Sequence, residues 1–377
     1  MAPQAPGRSE TRYPRLASLD ALRGFDMFWI LGGGALARGL HAVADVPAMT
    51  WLGDQMEHVP WEGFHFYDLI FPMFVFIAGA SLVFSTARHI ETRGSASAIR
   101  HIVLRGVILF LLGVLYSGGI ARGLENVRWL GVLQRIAIAY VGAGFLLIWC
   151  KPPVLVAVCV ALLAGYWALL ALVPVPEFGA GNFAEGRNLT NYLDRLYLPG
   201  RKYDGDHDPE GLLSNLPAIA SCLLGVLSGL WLRGAAPPWR KALGLLVAGA
   251  LLLGVGWLWA GAFPVVKKLW TSSFVLVAGG WSAILLGLFY SVIEIGNVRK
   301  PFAPFIWIGM NPITLYLLAN IINFSQLAQR FAGGDVKNNL NSAVHQGAGD
   351  LLLAVIACVF PVLIAWFLYR RKVFIRV

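Results

Sequence analysis

His58-Val-Pro-Trp-Glu-Gly-Phe-His-Phe-Tyr-Asp-Leu-Ile-Phe-Pro-Met-Phe-Val-Phe-Ile-Ala-Gly-Ala-Ser81 is the stretch that decides the fold. Its second half is an unbroken apolar run suited to a membrane helix. Its first half places two histidines, His58 and His65, and the carboxylates Glu62 and Asp68 at the mouth of that helix, with Glu57 just before them. Ionisable groups at a membrane boundary are costly to keep, so they mark a site by default. Read plainly, His58 is a loop residue. Read functionally, it is a general base or a nucleophile, the two roles histidine fills most often.

The rest of the chain has the same character. Of 377 residues, 58% are hydrophobic and 13% charged, and the mean hydropathy is +0.67. That is too apolar for one soluble core and predicts an all-α, polytopic transmembrane bundle. Ten apolar segments lie at about 19–38, 66–86, 102–119, 130–149, 153–174, 212–232, 241–261, 271–293, 303–323 and 350–369. Each is near the roughly 20 residues needed to span. Residues 1–18 are polar and basic and show no cleavable signal pattern. Cys150, Cys159, Cys222 and Cys358 all fall in apolar segments without metal-ligand spacing, so neither a disulfide nor a metal is expected.

The net charge of +10 does not imply nucleic acid, because the basic residues sit between membrane segments. Arg8, Arg12, Arg15, Arg88, Arg93, Arg100, Arg105, Lys151, Arg233, Arg240, Lys241, Arg299, Lys300 and the C-terminal Arg370, Arg371, Lys372 and Arg376 share one face. By the positive-inside rule that face is cytoplasmic, with both termini on it. Residues 1–18 then form a cytoplasmic segment. Residues 19–377 form a single transmembrane domain with external loops 39–65, 175–211 and 324–349. Long ordered loops are often functional. In the second loop Asp204, Asp206 and Asp208 alternate, but too briefly for a calcium loop and without its terminal Glu.

Several polar residues fall within the membrane segments. Asp20, Arg23 and Asp26 occupy one arc of the first helix, which points them at a protein interior or at one another as an ion-pair stripe. Gln134 and Arg135 lie early in the fourth. In the ninth, Asn311 precedes Pro312, where a helix break would line a cavity, and Tyr316, Asn320 and Asn323 follow on one face. A central polar pathway suits an enzyme or a transporter equally.

At these residues the chain resembles the heparan-alpha-glucosaminide N-acetyltransferase-like family of membrane acetyltransferases. The resemblance runs from about Leu16 to Val377. It rests on Ser18-Leu-Asp-Ala-Leu-Arg-Gly24, His58-x-x-Trp61-x-Gly63, Asp68-Leu-Ile-Phe-Pro-Met-Phe-Val-Phe76, Gly131-Val-Leu-Gln-Arg135, Tyr192-Leu-Asp-Arg195, Asp208-Pro-Glu-Gly-Leu212, Lys268-Leu-Trp-Thr-Ser-Ser273, Gly309-Met-Asn311 and Tyr369-Arg-Arg-Lys-Val-Phe374. No one motif is specific; their order and spacing together are.

The resemblance implies transfer of acetyl from cytoplasmic acetyl-CoA to the amine of a glucosamine-type sugar on the far side of the membrane. It places the essential histidine at His58; Asp68, ten positions on, is a candidate orienting carboxylate that only the fold could bring to it. Tyr192, Asp194, Asp208 and Glu210 lie in the outer segment 192–212, where an amine-bearing sugar would arrive, and with Trp61 and Glu62 are candidate acceptor contacts; the alternative is a loop whose acids only solvate it and stabilise the following helix N-terminus. Arg100, Arg105, Arg299 and Lys300 become candidates for the CoA phosphates, arginine especially because its fork binds phosphate bidentately. Arg23, Gln134, Arg135, Asn311 and Tyr316 would line a channel for the pantetheine arm. The animal members carry an additional N-terminal lumenal domain and membrane helix. They also carry an asparagine where this chain reads Phe28-Trp-Ile-Leu-Gly-Gly-Gly34, at or near Ile30. The competing function is a transporter for an amino sugar or glycan fragment. Expected partners are the lipid bilayer, acetyl-CoA and the acceptor, with no nucleic acid and a homodimer left open. A multi-pass place in a bacterial inner membrane is expected.

Overall fold

The computed structural model describes residues 16–43, 47–121 and 123–375. Arg8, Arg12, Arg15 and Arg376 of the charge argument lie outside the described residues. Among the described residues the chain is helical, with isolated two-residue bridges in place of strands. Eight helices are long and apolar enough to cross a membrane. These are α4 (Phe66–Arg93), α5 (Ser95–Tyr116), α6 (Val132–Trp149), α7 (Pro152–Leu172), α9 (Asn215–Arg233), α10 (Pro238–Trp259), Ser272–Ile295, which contains α11 (Ser272–Tyr290), and α16 (Ala348–Arg370). The chain is an integral, multi-pass membrane protein.

The two remaining apolar segments are helical but broken. Segment 19–38 divides into α1 (Ala17–Phe28) and α2 (Gly34–Val43), joined by a π-turn in which Gly32 leaves the helical path. Segment 303–323 divides into α12 (Ala303–Met310) and α13 (Pro312–Ile321), bent by 71°. Pro312 cannot donate a backbone hydrogen bond, and Asn311 uses the break. Its side-chain amide donates to Val373 O at 3.1 Å and accepts from Ile375 N at 2.9 Å. Asn311 therefore fastens the C-terminal tail to the bend.

Short helices cover the ends of the bundle: α3 (Pro47–Gln55), α8 (Leu189–Tyr197), α14 (Phe324–Ala332) and α15 (Asp335–Ala343). The core is built where α4, α6, α9 and α11 meet, around Met73, Phe76, Tyr140, Cys222 and Phe274. The Leu-Arg-Gly and Gly-Met-Asn motifs meet where α1 crosses α12. A Cβ on Gly24 would strike Phe305 O, and one on Gly309 would strike Asp20 O, so the backbones touch only because both residues are glycine. Arg23 is tied into the same crossing. It bonds Asp20 Oδ1 at 3.3 Å, Gly309 O at 3.1 Å and Ser81 Oγ.

Candidate functional site

α4 begins at Phe66, where Asp68 caps it. Asp68 Oδ2 accepts the backbone N–H of His65 at 3.1 Å and of Val59 at 3.3 Å. The carboxylate thereby satisfies orphan donors at the helix N-terminus, where negative charge is favoured. It also folds residues 59–65 back over the helix end. That return places His58 Nδ1 2.8 Å from Asp68 Oδ1, across ten positions of sequence. Tyr67 lies against the imidazole, with ring centroids 4.8 Å apart.

The third member of this cluster comes from far along the chain. Lys267 Nζ is 3.2 Å from Asp68 Oδ1, 3.0 Å from His58 Nδ1 and 3.3 Å from His58 Nε2. A backbone stitch delivers it. Gly63 N donates to Val265 O at 2.9 Å, and Glu62 pairs with Val266 in an antiparallel bridge. The 265–271 loop is itself fixed by Trp270, whose φ of +54° is uncommon for a bulky residue and persists only where packing over-determines it. Trp270 is buried. Its Nε1 donates to Ser221 Oγ at 3.0 Å, and its ring packs on Phe71, Phe274 and the Arg135 guanidinium.

A carboxylate accepts only, so the 2.8 Å contact is an Nδ1–H donation to Asp68 when the imidazole is neutral. Nε2 then keeps its lone pair. Asp68 is 1% exposed on its side chain, against 52% for His58, so a buried anchor orients an accessible ring. Burial lowers the Lys267 pKa from the ordinary lysine value, and the nearby Asp68 carboxylate opposes that shift.

The cluster forms one wall of a cavity of about 360 Å³. That volume is within the roughly 300–1,000 Å³ usual for small-molecule sites. Apolar and aromatic groups from α1, the π-turn, α4, α6 and α13 supply much of the lining, including Met27, Ile30, Phe71, Phe74, Ile136 and Tyr316. Ile30, from the π-turn, faces the cavity. Tyr316 stacks on Tyr116 at 4.5 Å.

A second charged group supports the cavity from the 199–212 loop. Arg128 forks onto Asp208 at 2.8 and 2.7 Å and reaches Glu210 at 2.6 Å. Asp208 also accepts Tyr203 N at 2.9 Å and Glu210 N at 3.0 Å. Although burial opposes its charge, these carboxylates raise the Arg128 pKa above its ordinary value. Burial raises that of Glu210. Asp194 accepts Leu212 N at 2.8 Å and Asp208 N at 3.4 Å. A Cβ at position 211 would strike the Asp194 carboxylate, which explains Gly211. Burial lifts the Asp194 carboxyl to about 6.

The expected site residues thus separate. His58, Asp68 and Trp61 gather at the opening of α4, and Glu210, Arg135 and Tyr316 line the same cavity with His58 and Trp61. Asp194 and Asp208 are committed to holding the loop. Tyr192 packs in an apolar cluster beside Leu189, and Glu62 is exposed outside the cavity. Gln134 is buried, donating to Arg128 O at 3.3 Å. Arg135 donates to Pro209 O at 2.7 Å and to Ser214 Oγ. Arg105 bonds Tyr140 Oη at 3.3 Å and Arg299 pairs with Glu294 at 3.5 Å, neither of them on the cavity. Asp26 is buried with no hydrogen-bond partner among the described residues.

Among the described residues, Glu185, Asp204 and His207 bring metal-ligating atoms within 4.8 Å of one another. Lys268 Nζ already pairs with Glu185 at 2.8 Å and Asp204 at 3.1 Å. An ammonium therefore supplies the positive charge there.

Residues 15–191 match the family described as heparan-alpha-glucosaminide N-acetyltransferase, catalytic. The human heparan-alpha-glucosaminide N-acetyltransferase is 27% identical over 97% of this chain, and the mouse protein 26% identical over 85% of it. The chain spans 60% of the human and 56% of the mouse sequence. In these residues the chain is similar to the heparan-alpha-glucosaminide N-acetyltransferase family.

Proposed function

We propose that this protein transfers an acetyl group from acetyl-CoA to the amine of a glucosamine-type sugar, with His58 at the centre of the reaction. The observation that carries this reading is the pairing of an accessible imidazole with a buried, fully bonded carboxylate on the wall of an apolar cavity. Asp68 holds the Nδ1–H tautomer and would stabilise the imidazolium when it forms. The Nε2 lone pair is left to take the proton of the acceptor amine as it attacks, or to carry the acetyl group as acetyl-imidazole.

In direct transfer the free amine attacks the thioester carbonyl carbon. A C–N bond forms, the amine proton passes to Nε2, and the C–S bond breaks. The departing sulfur takes the proton from His58, leaving an acetamide and CoA thiol. Trp61 and Tyr203 flank the cavity as flat faces for a sugar ring, and Glu210 lies within the lining to meet an ammonium or hydroxyl.

The donor arrives from the cytoplasmic face in this reading, the face to which the charge pattern assigns Arg100, Arg105, Arg299 and Lys300. The acceptor arrives from outside. An anionic nucleotide does not cross hydrocarbon, where one charge already costs several kcal/mol. The pantetheine arm is nearly neutral and would enter between helices toward Tyr316. Sealed vesicles of known orientation test this, with labelled acetyl-CoA on one side and an impermeant amino sugar on the other. Two-sided transfer is expected. Equal transfer to acceptor on the same side as the CoA would overturn the two-sided arrangement.

A further inference from the structure

Lys267 lies beside the imidazole that the reading above puts at the centre of acyl transfer. One of its three N–H donors is taken by Asp68 Oδ1 at 3.2 Å. Its contacts with His58 are of another kind. Nδ1 donates its N–H to Asp68 and, being protonated, has no lone pair to offer. An atom almost equidistant from both ring nitrogens, at 3.0 and 3.3 Å, lies beside the ring and not along either in-plane direction. The Nε2 lone pair is therefore left for chemistry, and Lys267 keeps N–H donors to turn into the cavity that it lines.

The other cations on this cavity are committed. Arg128 is spent on Asp208 and Glu210, and Lys268 on Glu185 and Asp204. Arg135 is buried beneath Trp270 and bonded to Pro209 O and Ser214. Lys267 alone among these four adjoins the imidazole.

We propose that Lys267 is a catalytic residue that donates to the acetyl carbonyl oxygen and holds the oxyanion of the tetrahedral intermediate. The proposal rests on the acyl-transfer reading above. As the amine attacks the carbonyl carbon, the C=O π pair moves to oxygen, and the oxyanion forms against the ammonium of Lys267. When the C–S bond breaks, the pair returns to the carbonyl. Lys267 gives up no proton. Asp68 balances its charge throughout, so the cluster is neutral before His58 is protonated. A preformed donor in a water-poor site is worth about 10²–10³ in rate.

The test compares kcat and KM for acetyl-CoA in wild type, Lys267→Met and Lys267→Arg across pH, each checked for monodispersity and thermal midpoint. Removing the cation makes the imidazolium easier to form, so the acidic limb of the kcat profile moves to higher pH. Above that limb, the proposal expects Lys267→Met to stay about 10²–10³-fold below wild type, with KM little changed and Arg restoring part of the loss. Recovery of the wild-type plateau at high pH would overturn it, because Lys267 would then only set the protonation of His58. Where Lys267→Met fails to fold, Lys267→Gln is read by the same plateau. Wild-type protein that transfers no acetyl would instead remove the acyl-transfer reading itself.

Discussion

Lys267 and Lys268 are neighbours in sequence and opposites in setting. Lys267 turns inward to one carboxylate, Asp68, which it shares with an imidazole. Lys268 turns to the rim, between Glu185 and Asp204. Burial works against the charge of both. For Lys267 burial prevails, and the pKa falls below the ordinary lysine value. For Lys268 the bonds to two carboxylates more than offset it, and the pKa rises. Both lie on the same cavity, and the difference is one of saturation. The rim lysine has its charge fully answered and serves as a strut. The inner lysine has donors to spare next to an accessible base, which is how a site differs from a salt bridge.

The sharpest way to break this contrast is at Asp68. Asp68→Asn keeps the size of the side chain but cannot fix the Nδ1–H tautomer or answer the Lys267 ammonium. We expect kcat for acetyl transfer to fall by at least about 100-fold, with the folded protein recovered from detergent. A loss under tenfold would mean that His58 needs no orienting carboxylate.

The loop that carries both the rim acids and Glu210 offers a second, smaller effect. The Asp194 carboxyl is raised to about 6 by burial, against two backbone N–H bonds that favour its charge. A folded-state value above the unfolded one of about 4 means that the group stabilises the fold fully below that lower value. The contribution is lost as pH rises through about 6. It amounts to about 3 kcal/mol at most. Thermal midpoints measured across this window should therefore fall more steeply with pH in wild type than in Asp194→Asn. Equal slopes would show that Asp194 does not titrate there.

The architecture was readable in sequence because bilayer thickness sets the length of each apolar run. All ten runs are helical in the structure, eight of them continuous. The break at Asn311-Pro312 was legible from proline. The break at Gly32 was not, although three consecutive glycines signal it, because hydropathy averages over a kink. Within the site, the His58 motif was legible, but its contact with Asp68 depends on a loop doubling back. Lys267 was missed altogether. It lies 199 positions from Asp68 and reaches it only through the pairing of residues 62–63 with 265–266. The available signal was a lysine doublet ahead of Leu-Trp-Thr-Ser-Ser273. Asp194 and Asp208 looked like acceptor groups because composition does not reveal that their oxygens are taken by backbone and Arg128.

The smallest effect is expected at the rim. Lys268 is 32% exposed, and ion pairs of this kind contribute about 0–1 kcal/mol. Lys268→Met should change kcat/KM by no more than about fivefold. A loss as deep as that of Asp68→Asn would erase the distinction between the two lysines.

The most direct measurement is acetyl transfer by purified wild type and His58→Ala, using labelled acetyl-CoA and a glucosamine acceptor in detergent. The account predicts acetylated sugar with wild type. It predicts at least about a 100-fold loss of kcat in the variant, with thermal midpoint and monodispersity unchanged. A well-folded His58→Ala protein that transfers acetyl at the wild-type rate would contradict it.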